Sequence, residues 1–173
     1  MTPFNRKNWR PEVRFVVLFG VILGVGFTTL ALRPVDEAVV GPFTAHVARL
    51  SGGVLGILGE EITVSGHDLR SPRFAVSIHN GCNGLVTSLV LVSGMLAFPA
   101  PWWTRIAGVF FGLVAVQFIN LLRVVALFYT GVYLPESFNE SHVVVWQSVV
   151  ILSGVALWML WARWATTRSR ECR

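Results

Sequence analysis

The sequence predicts an all-α integral membrane protein with about four transmembrane helices. Hydrophobic residues make up 54% of the 173-residue chain and charged residues only 13%, whereas a soluble domain carries about 25% charged residues. Four apolar runs come close to or exceed the roughly 20 residues that cross a ~30 Å hydrocarbon layer. They cover residues 13–32, 84–101, 105–130 and 142–162. We therefore expect residues 1–173 to form a single membrane domain in a lipid bilayer.

The basic residues predict the topology of these spans. The formal net charge is +5, but the arginines flank the apolar runs and form no stripe on a soluble surface, so we expect no nucleic-acid partner. Most of the basic residues lie at or before the start of the first run, after the fourth run and in the link at 102–105, whereas the 131–141 loop has none. By the positive-inside rule both termini and this link are cytoplasmic, and residues 33–82 and 131–141 face outward. The expected location is the cell inner membrane, with the outward loops facing the periplasm or the exterior.

The first apolar run follows basic residues, as the core of a secretory signal does. Its apolar stretch, residues 15–32, is longer than the usual signal core of about 7–15 residues. An Arg-Pro pair then stands where small residues would mark a cleavage site. We therefore predict that the first span is a retained membrane anchor.

The outward insert, residues 33–82, is predicted to begin with an interfacial helix. Residues 36–58 are apolar in patches, and Asp36 is the expected N-cap of a helix. Arg49 would cost about 2.5–3.5 kcal/mol at the centre of a bilayer. That cost favours an interfacial or re-entrant helix on the outer face, and a fifth span is the alternative.

The second half of the insert is predicted to form a short β-hairpin. Residues 62–64 and 74–78 both show period-two alternation of apolar and polar side chains, and a polar segment separates them. A hairpin alone is marginally stable in water. We therefore expect it to pack on the 36–58 helix and on the outer ends of the spans.

Cys82 is the first candidate for chemistry, because it lies in an Asn-Gly-Cys-Asn-Gly motif at residues 80–84, where the second span begins. A helix N-terminus favours an anion and so lowers a thiol pKa, and its N–H groups can bind an oxyanion. Desolvation at the membrane edge acts in the opposite direction. Cys172 is predicted to lie on the other side of the membrane and cannot pair with Cys82. The alternative is that Cys82 is a small buried hydrophobe.

Arg123 is the second candidate, because it lies inside the third apolar run. Gln117, Asn120 and Arg123 recur at i, i+3 and i+6, which places three polar groups on one sector of a lipid-spanning helix. Such a sector is expected to face the interior of a bundle. The alternative is an interfacial anchor whose side chain extends outward to the membrane surface.

His142 is the third candidate, at the start of the fourth span and on the same outer side as Cys82. A helix N-terminus disfavours imidazolium, so a neutral imidazole that accepts a proton is expected there. An ordinary interfacial histidine is the alternative. Together the three side chains are those that thiol catalysis needs: a thiolate to attack, an imidazole to exchange protons and a guanidinium to stabilise negative charge.

The order of these residues resembles the exosortase and archaeosortase family of membrane transpeptidase-like cysteine proteases, and most of all its compact exosortase H branch. The resemblance covers roughly residues 75–165. It rests on the motif around Cys82, on the Asn-x-x-Arg motif that ends at Arg123, and on His142 at the start of the last span.

The resemblance implies that Cys82 is the nucleophile, His142 its proton-transfer partner and Arg123 the group that stabilises the thiolate or the oxyanion. The substrates would be exported proteins with a C-terminal sorting tail, made of a short motif, a transmembrane helix and a basic cluster. Cleavage would pass through a thioester, from which the protein is transferred to an acceptor. The supporting residues implied by the motifs are Asn80, Asn83 and Asn120.

Two other functions stay open at this point. A non-enzymatic membrane subunit or scaffold would leave Cys82 inert and would use the polar sector of the third span to pack a partner. A haem or quinone protein is a third hypothesis, but the histidines lack metal-ligand spacing and no cysteine cluster is present. We therefore expect no cofactor and no metal. A homo-oligomer, in which a second copy closes a lateral groove for the substrate helix, is a further hypothesis.

Overall fold

The structure is a computed structural model that describes residues 10–78, 81–138 and 145–171. Most of these residues are helical. In chain order the helices are α1 (Pro11–Leu30), α2 (Arg33–Val35), α3 (Gly41–Ile57), α4 (Leu85–Ala97), α5 (Trp102–Tyr133) and α6 (Gln147–Glu171). A π-helical segment, Asp36–Val40, joins α2 to α3, and a 3₁₀ turn, Pro135–Ser137, follows α5. Between α3 and α4 lie three strands, β1 (Thr63–Ser65), β2 (Asp68–Arg70) and β3 (Ala75–Ser77).

Three helices in the described part of the chain are long and apolar enough to cross a membrane: Pro11–Leu30, Trp102–Tyr133 and Gln147–Arg168. They coincide with the first, third and fourth apolar runs, so the chain is a multi-pass membrane protein. The predicted count of four spans is not confirmed, because α4 has only 13 residues and is about 20 Å long. Its end is set by Phe98, which is extended ahead of Pro99 and so cannot continue the helix.

The short helix α4 lies at the centre of the bundle, in contact with α1, α5 and α6. Leu91 and Met95 of α4 pack in one hydrophobic core with Val116 of α5 and Trp161 of α6. The indole N–H of Trp161 also donates to the Thr104 carbonyl over 2.9 Å. The lipid-facing helices therefore enclose most of α4.

Helix α3 confirms the helix predicted within residues 36–58, but its start differs from the prediction. Asp36 is not an N-cap, because helical turns begin at Arg33 and continue through the π-helical segment, where the Gly41 N–H group donates to the Asp36 carbonyl. The wider π turn directly precedes Pro42, whose ring clashes with the carbonyl four residues earlier in a regular α-helix. α3 is not among the helices long and apolar enough to span, so the fifth-span alternative gains no support.

The sheet has three antiparallel strands in the order β1-β2-β3, so the predicted two-stranded hairpin is wrong. The segment that was expected to be a turn supplies β2, and the strands that flank it pair with β2 and not with each other. Gly66, at φ +60°, permits the tight turn between β1 and β2. Leu69 at the centre of β2 is fully buried, so one apolar side chain holds the middle strand on the core.

The buried face of the sheet forms a second hydrophobic core with α3 and α5. Leu69 and Ile78 contact Val47 and Ala48 of α3 and Val124 of α5, and Cys82 lies at the edge of this cluster. Phe74 packs against Phe128 and against the Cα atom of Gly131, where any side chain would collide with its ring. The strand that follows Phe74, β3, is therefore fixed beside the turn that carries Cys82.

Candidate functional site

Cys82 lies in the turn 81–84, immediately before α4. Its side chain is half-buried, and the Arg123 guanidinium donates from Nη2 to its Sγ atom over 3.7 Å. Arg123 extends from α5 and is only 3% exposed. The structure therefore brings together two of the three side chains that the sequence singled out. Cys82 comes from the turn before α4, and Arg123 comes from α5.

Asn83 anchors the turn that carries the thiol. Its side chain is fully buried, and its Nδ2 atom donates to the Thr44 hydroxyl over 2.9 Å. Its Oδ1 atom accepts from the Leu85 N–H group over 3.0 Å, which satisfies one of the exposed donors at the start of α4. Thr44 in turn donates to the Val40 carbonyl. This chain of hydrogen bonds links the start of α4 to α3.

Gly84 brings the turn against the polar sector of α5. Its φ of +80° favours glycine, and a Cβ atom there would lie 3.0 Å from Nε2 of Gln117 and 3.2 Å from Cγ of Asn120. Gln117 also donates to the Ser88 hydroxyl over 3.3 Å. Gln117, Asn120 and Arg123 therefore face the bundle interior, as their spacing predicts.

Two buried polar groups of this sector have no hydrogen-bond partner among the described residues. They are the side-chain amide of Asn120, both atoms of which are unpaired, and the Nε atom of Arg123. A buried polar group without a partner costs about 1–3 kcal/mol. Such groups in a native structure need an explanation, for which a strained contact, a bound water or ion and a catalytic role are the usual ones, and these two lie beside the turn that carries Cys82.

Burial raises the pKa of the Cys82 thiol, and the nearby charge of Arg123 only partly opposes this effect. The sequence left open whether the helix N-terminus or desolvation would dominate. Gly84 is the N-cap, so Cys82 lies two residues outside the helix, and Asn83 already occupies the Leu85 N–H group. Burial therefore decides the direction of the shift, and a nucleophilic role near neutral pH would require a base.

A cleft of about 240 Å³ opens beside the thiol. It is lined by residues 75–78, Cys82, Val124, Leu127 and Phe138. Two larger apolar grooves, of about 450 and 710 Å³, lie along the outer faces of the helices, and their walls contain no titratable side chain. Of these three cavities, the small cleft is thus the one that contains a thiol.

A family model for transmembrane exosortases (Exosortase_EpsH) matches residues 11–162. The chain belongs to the transmembrane exosortase family. The match extends over Cys82 and Arg123 and confirms the resemblance that the motifs predicted. Searches of curated proteins and of solved structures return no significant match.

Two candidate residues of this exosortase lie outside the described residues: His142, the expected proton-transfer partner, and Asn80, an expected supporting residue. Cys172 also lies outside them. Sequence reasoning missed Thr44, because a single threonine in a patchily apolar helix carries no motif. It also missed the position of β3 beside Cys82, which depends on the fold of the insert.

The two histidines in the described ranges have structural roles in the exosortase. His67 is hydrogen-bonded through Nε2 to the Gly41 carbonyl over 2.9 Å, and His46 through Nδ1 to the Pro42 carbonyl over 3.0 Å. Both contacts stabilise the start of α3. Within residues 10–78, 81–138 and 145–171, no three or more His, Cys, Asp or Glu side chains are grouped to hold a metal ion.

Proposed function

We propose that this exosortase is a membrane-embedded cysteine protease or transpeptidase that removes the C-terminal sorting tail of exported proteins at the outer surface of the inner membrane. The observation that carries the proposal is the contact between the Arg123 guanidinium and the Cys82 Sγ atom over 3.7 Å. A buried cation beside a half-buried thiol stabilises the thiolate at the moment of attack. Membership of the exosortase family supports the same chemistry.

The proposed reaction has two steps. In the first, the Cys82 sulfur forms a bond to the scissile carbonyl carbon, the peptide C–N bond breaks, and the leaving amine takes a proton. His142 is the proposed carrier, accepting the thiol proton and donating it to the amine. In the second, the acceptor forms a bond to the thioester carbon, the C–S bond breaks, and the proton that the acceptor loses passes through His142 to the leaving sulfur of Cys82.

The oxyanion that forms in each step needs donors close to Cys82. Arg123 supplies a charged donor, and Asn120 has a buried amide without a partner among the described residues. Asn120 lies next to Gly84, two residues from the thiol. We assign it the role of orienting Arg123 or donating to the oxyanion, with Asn83 holding the turn in place and Asn80 as a further supporting residue.

The hydrophobic helix of the sorting tail is proposed to lie in the groove of about 450 Å³ between α1, α4 and α6. Val86 and Thr87 of the first turn of α4 line one end of this groove, and Phe15 and Trp158 line other parts of its wall. Val86 follows Cys82 by only four residues. A helix seated there would lead its preceding residues past the thiol.

Mass spectrometry of tail-bearing exported proteins, from cells with and without this chain, tests the proposal. We expect a shortened C-terminus and an attached acceptor group only in cells that contain the protein. The Cys82→Ala variant should abolish both, and Cys82→Ser should reduce processing by orders of magnitude, because a hydroxyl is a weaker nucleophile than a thiol.

Unchanged processing in the Cys82→Ala cells would exclude a thioester. The burial that raises the pKa of Cys82 is the observation that favours the alternative, a non-enzymatic subunit in which the thiol is inert. In that case the masses of all tail-bearing proteins would be the same with and without this chain, and affinity purification would recover a stoichiometric membrane partner.

A further inference from the structure

The strand β3 presents unused hydrogen-bonding groups along one edge of the sheet. β3 is an edge strand, because the order is β1-β2-β3. The Ile78 N–H group donates to His67 and the Phe74 carbonyl accepts from Ser71, both over 2.9 Å. Backbone groups alternate in direction along a strand, so residues 74, 76 and 78 face β2. The N–H and C=O groups of Ala75 and Ser77 therefore face away from the sheet.

This edge has no backbone partner among the described residues. The cleft of about 240 Å³ runs along all of β3 and also contains Cys82. An extended peptide that enters this cleft would thus meet two N–H donors and two C=O acceptors on the strand, and a thiol beside them. An open strand edge is a template for pairing with another chain, and many proteins bind extended peptides in this way.

We propose that the scissile segment of the substrate binds as a fourth strand on the edge of β3, hydrogen-bonded to the backbone of Ala75 and Ser77, with its scissile carbonyl at Cys82. This inference rests on the proposed function and names the binding mode at the same site. The occupant is an extended polypeptide segment, because only a regular run of backbone donors and acceptors matches the spacing on β3.

The walls of the cleft determine which substrate side chains can bind beside the scissile bond. Besides β3 and the thiol they are apolar, contributed by Val124, Leu127 and Phe138. Alternate residues of a strand point to the same face, so one or two substrate side chains near the scissile bond enter this cleft. A volume of about 240 Å³ selects apolar side chains of moderate size and excludes charged ones, whose burial here without a partner is costly.

Proline at position 77 tests the proposed pairing. Ser77→Pro removes an outward N–H group and places a ring where the incoming strand would lie, and proline is tolerated on the open side of an edge strand. Ser77→Ala is the matched reference, because it loses the same hydroxyl and keeps the N–H group. The substrate is the tail-bearing protein that the mass spectrometry identifies, and the full-length chain is used in membranes. We expect S77P to process it at least about tenfold more slowly than S77A, while iodoacetamide alkylates Cys82 equally fast in both.

Equal processing by S77P and S77A would overturn the fourth-strand proposal. The proposed function would survive that result as long as Cys82→Ala abolishes processing, so the two failures are distinguishable. If a disulfide at Ala75→Cys joins two copies of this chain while processing stays at its full rate, the edge pairs with a second copy and the proposal is also wrong.

A second measurement uses the wild-type chain and does not depend on the folding of a variant. Synthetic peptides that cover the cleavage site of the identified substrate carry a single N-methyl group at successive positions. Pairing with β3 predicts that cleavage is lost at every second position, because only alternate N–H groups face the neighbouring strand. Equal loss at all positions, or at none, would contradict the proposal.

Discussion

Asn83 and Thr44 are joined by a hydrogen bond of 2.9 Å between two fully buried side chains, and this bond connects the turn that carries Cys82 to α3. Thirty-nine residues separate the two partners in sequence. The position of the thiol over Arg123 therefore depends on the insert, and not only on the packing of α4 against α5.

Thr44→Val is expected to destabilise the protein by about 1–3 kcal/mol, because it leaves the Asn83 amide buried without an acceptor while the side-chain volume is nearly unchanged. Thr44→Ser keeps the hydroxyl and is the control. Thermal unfolding of the two variants in detergent micelles measures the difference. A T44V protein as stable as T44S would show that the amide finds another partner.

Gly84→Ala is expected to cost about 1–3 kcal/mol of stability, since a non-glycine residue at φ +80° is strained. The new methyl group would also press on Gln117 and Asn120. Gly81→Ala, in the same turn but in open space, is the control for the loss of a glycine. The same unfolding measurement applies, and equal midpoints for the two variants would contradict the geometry of the turn.

Leu69→Ala is expected to destabilise the insert by about 2–5 kcal/mol, because the leucine is fully buried and its loss leaves a cavity. Leu58→Ala is the control, since Leu58 is 56% exposed. Hydrogen exchange of the sheet amides should accelerate strongly in L69A alone. Unchanged protection in L69A would mean that β2 does not hold the sheet on α3.

The rate of alkylation of Cys82 is expected to rise with pH beyond the usual range for thiols, because burial raises its pKa. A raised pKa leaves less thiolate at neutral pH, and the thiolate fraction, which sets the rate of alkylation, increases as the pH rises. Arg123→Gln removes the charge that opposes this shift, so it should slow alkylation at every pH below the plateau. The measurement uses iodoacetamide on a Cys172→Ser background, and a faster reaction in R123Q would contradict the assigned role of Arg123.

Arg123→Lys is expected to lower the processing of a tail-bearing substrate by at least about tenfold, although the charge is kept. An ammonium cannot reproduce the planar fork, in which Nη2 reaches the thiol while other N–H groups are left for the oxyanion. The initial rate of tail removal, with membrane levels of the protein matched, provides the measurement. Full activity in R123K would reduce the arginine to a structural anchor.

The sequence predicted the long helices well, because hydropathy over about 20 residues reports burial in lipid directly. The runs at 13–32 and 105–130 became α1 and α5 with ends shifted by a few residues. The run at 84–101 counted apolar residues beyond Phe98, where Pro99 had already ended the helix. Hydropathy does not report where a proline ends a helix, so the predicted span at 84–101 was longer than the helix α4 that forms there.

One contact of the candidate site, that between Arg123 and Cys82, could be anticipated from the type of residue. An arginine among apolar residues must find the bundle interior, and Arg123 does so beside Cys82. The contact of Thr44 with Asn83 and the position of β3 beside Cys82 could not be predicted, because both depend on contacts between distant segments. Leu69 is a single apolar residue in a polar segment, and one residue is too short a signal for a strand.

Helix α5 is much longer than α4, so the distance along α5 can be compared with the thickness of a lipid bilayer. The two helices share the link at 98–101, and Arg123 lies 21 residues beyond Trp102, which is about 32 Å along the axis of α5. That distance equals the thickness of an average hydrocarbon layer. If Trp102 lies at one edge of the hydrocarbon layer, Arg123 and the thiol beside it lie near the opposite edge, and the last ten residues of α5 extend beyond that edge. With that placement, a thicker bilayer would submerge Cys82 and a thinner one would expose it, so bilayer thickness would change the access of the thiol to water.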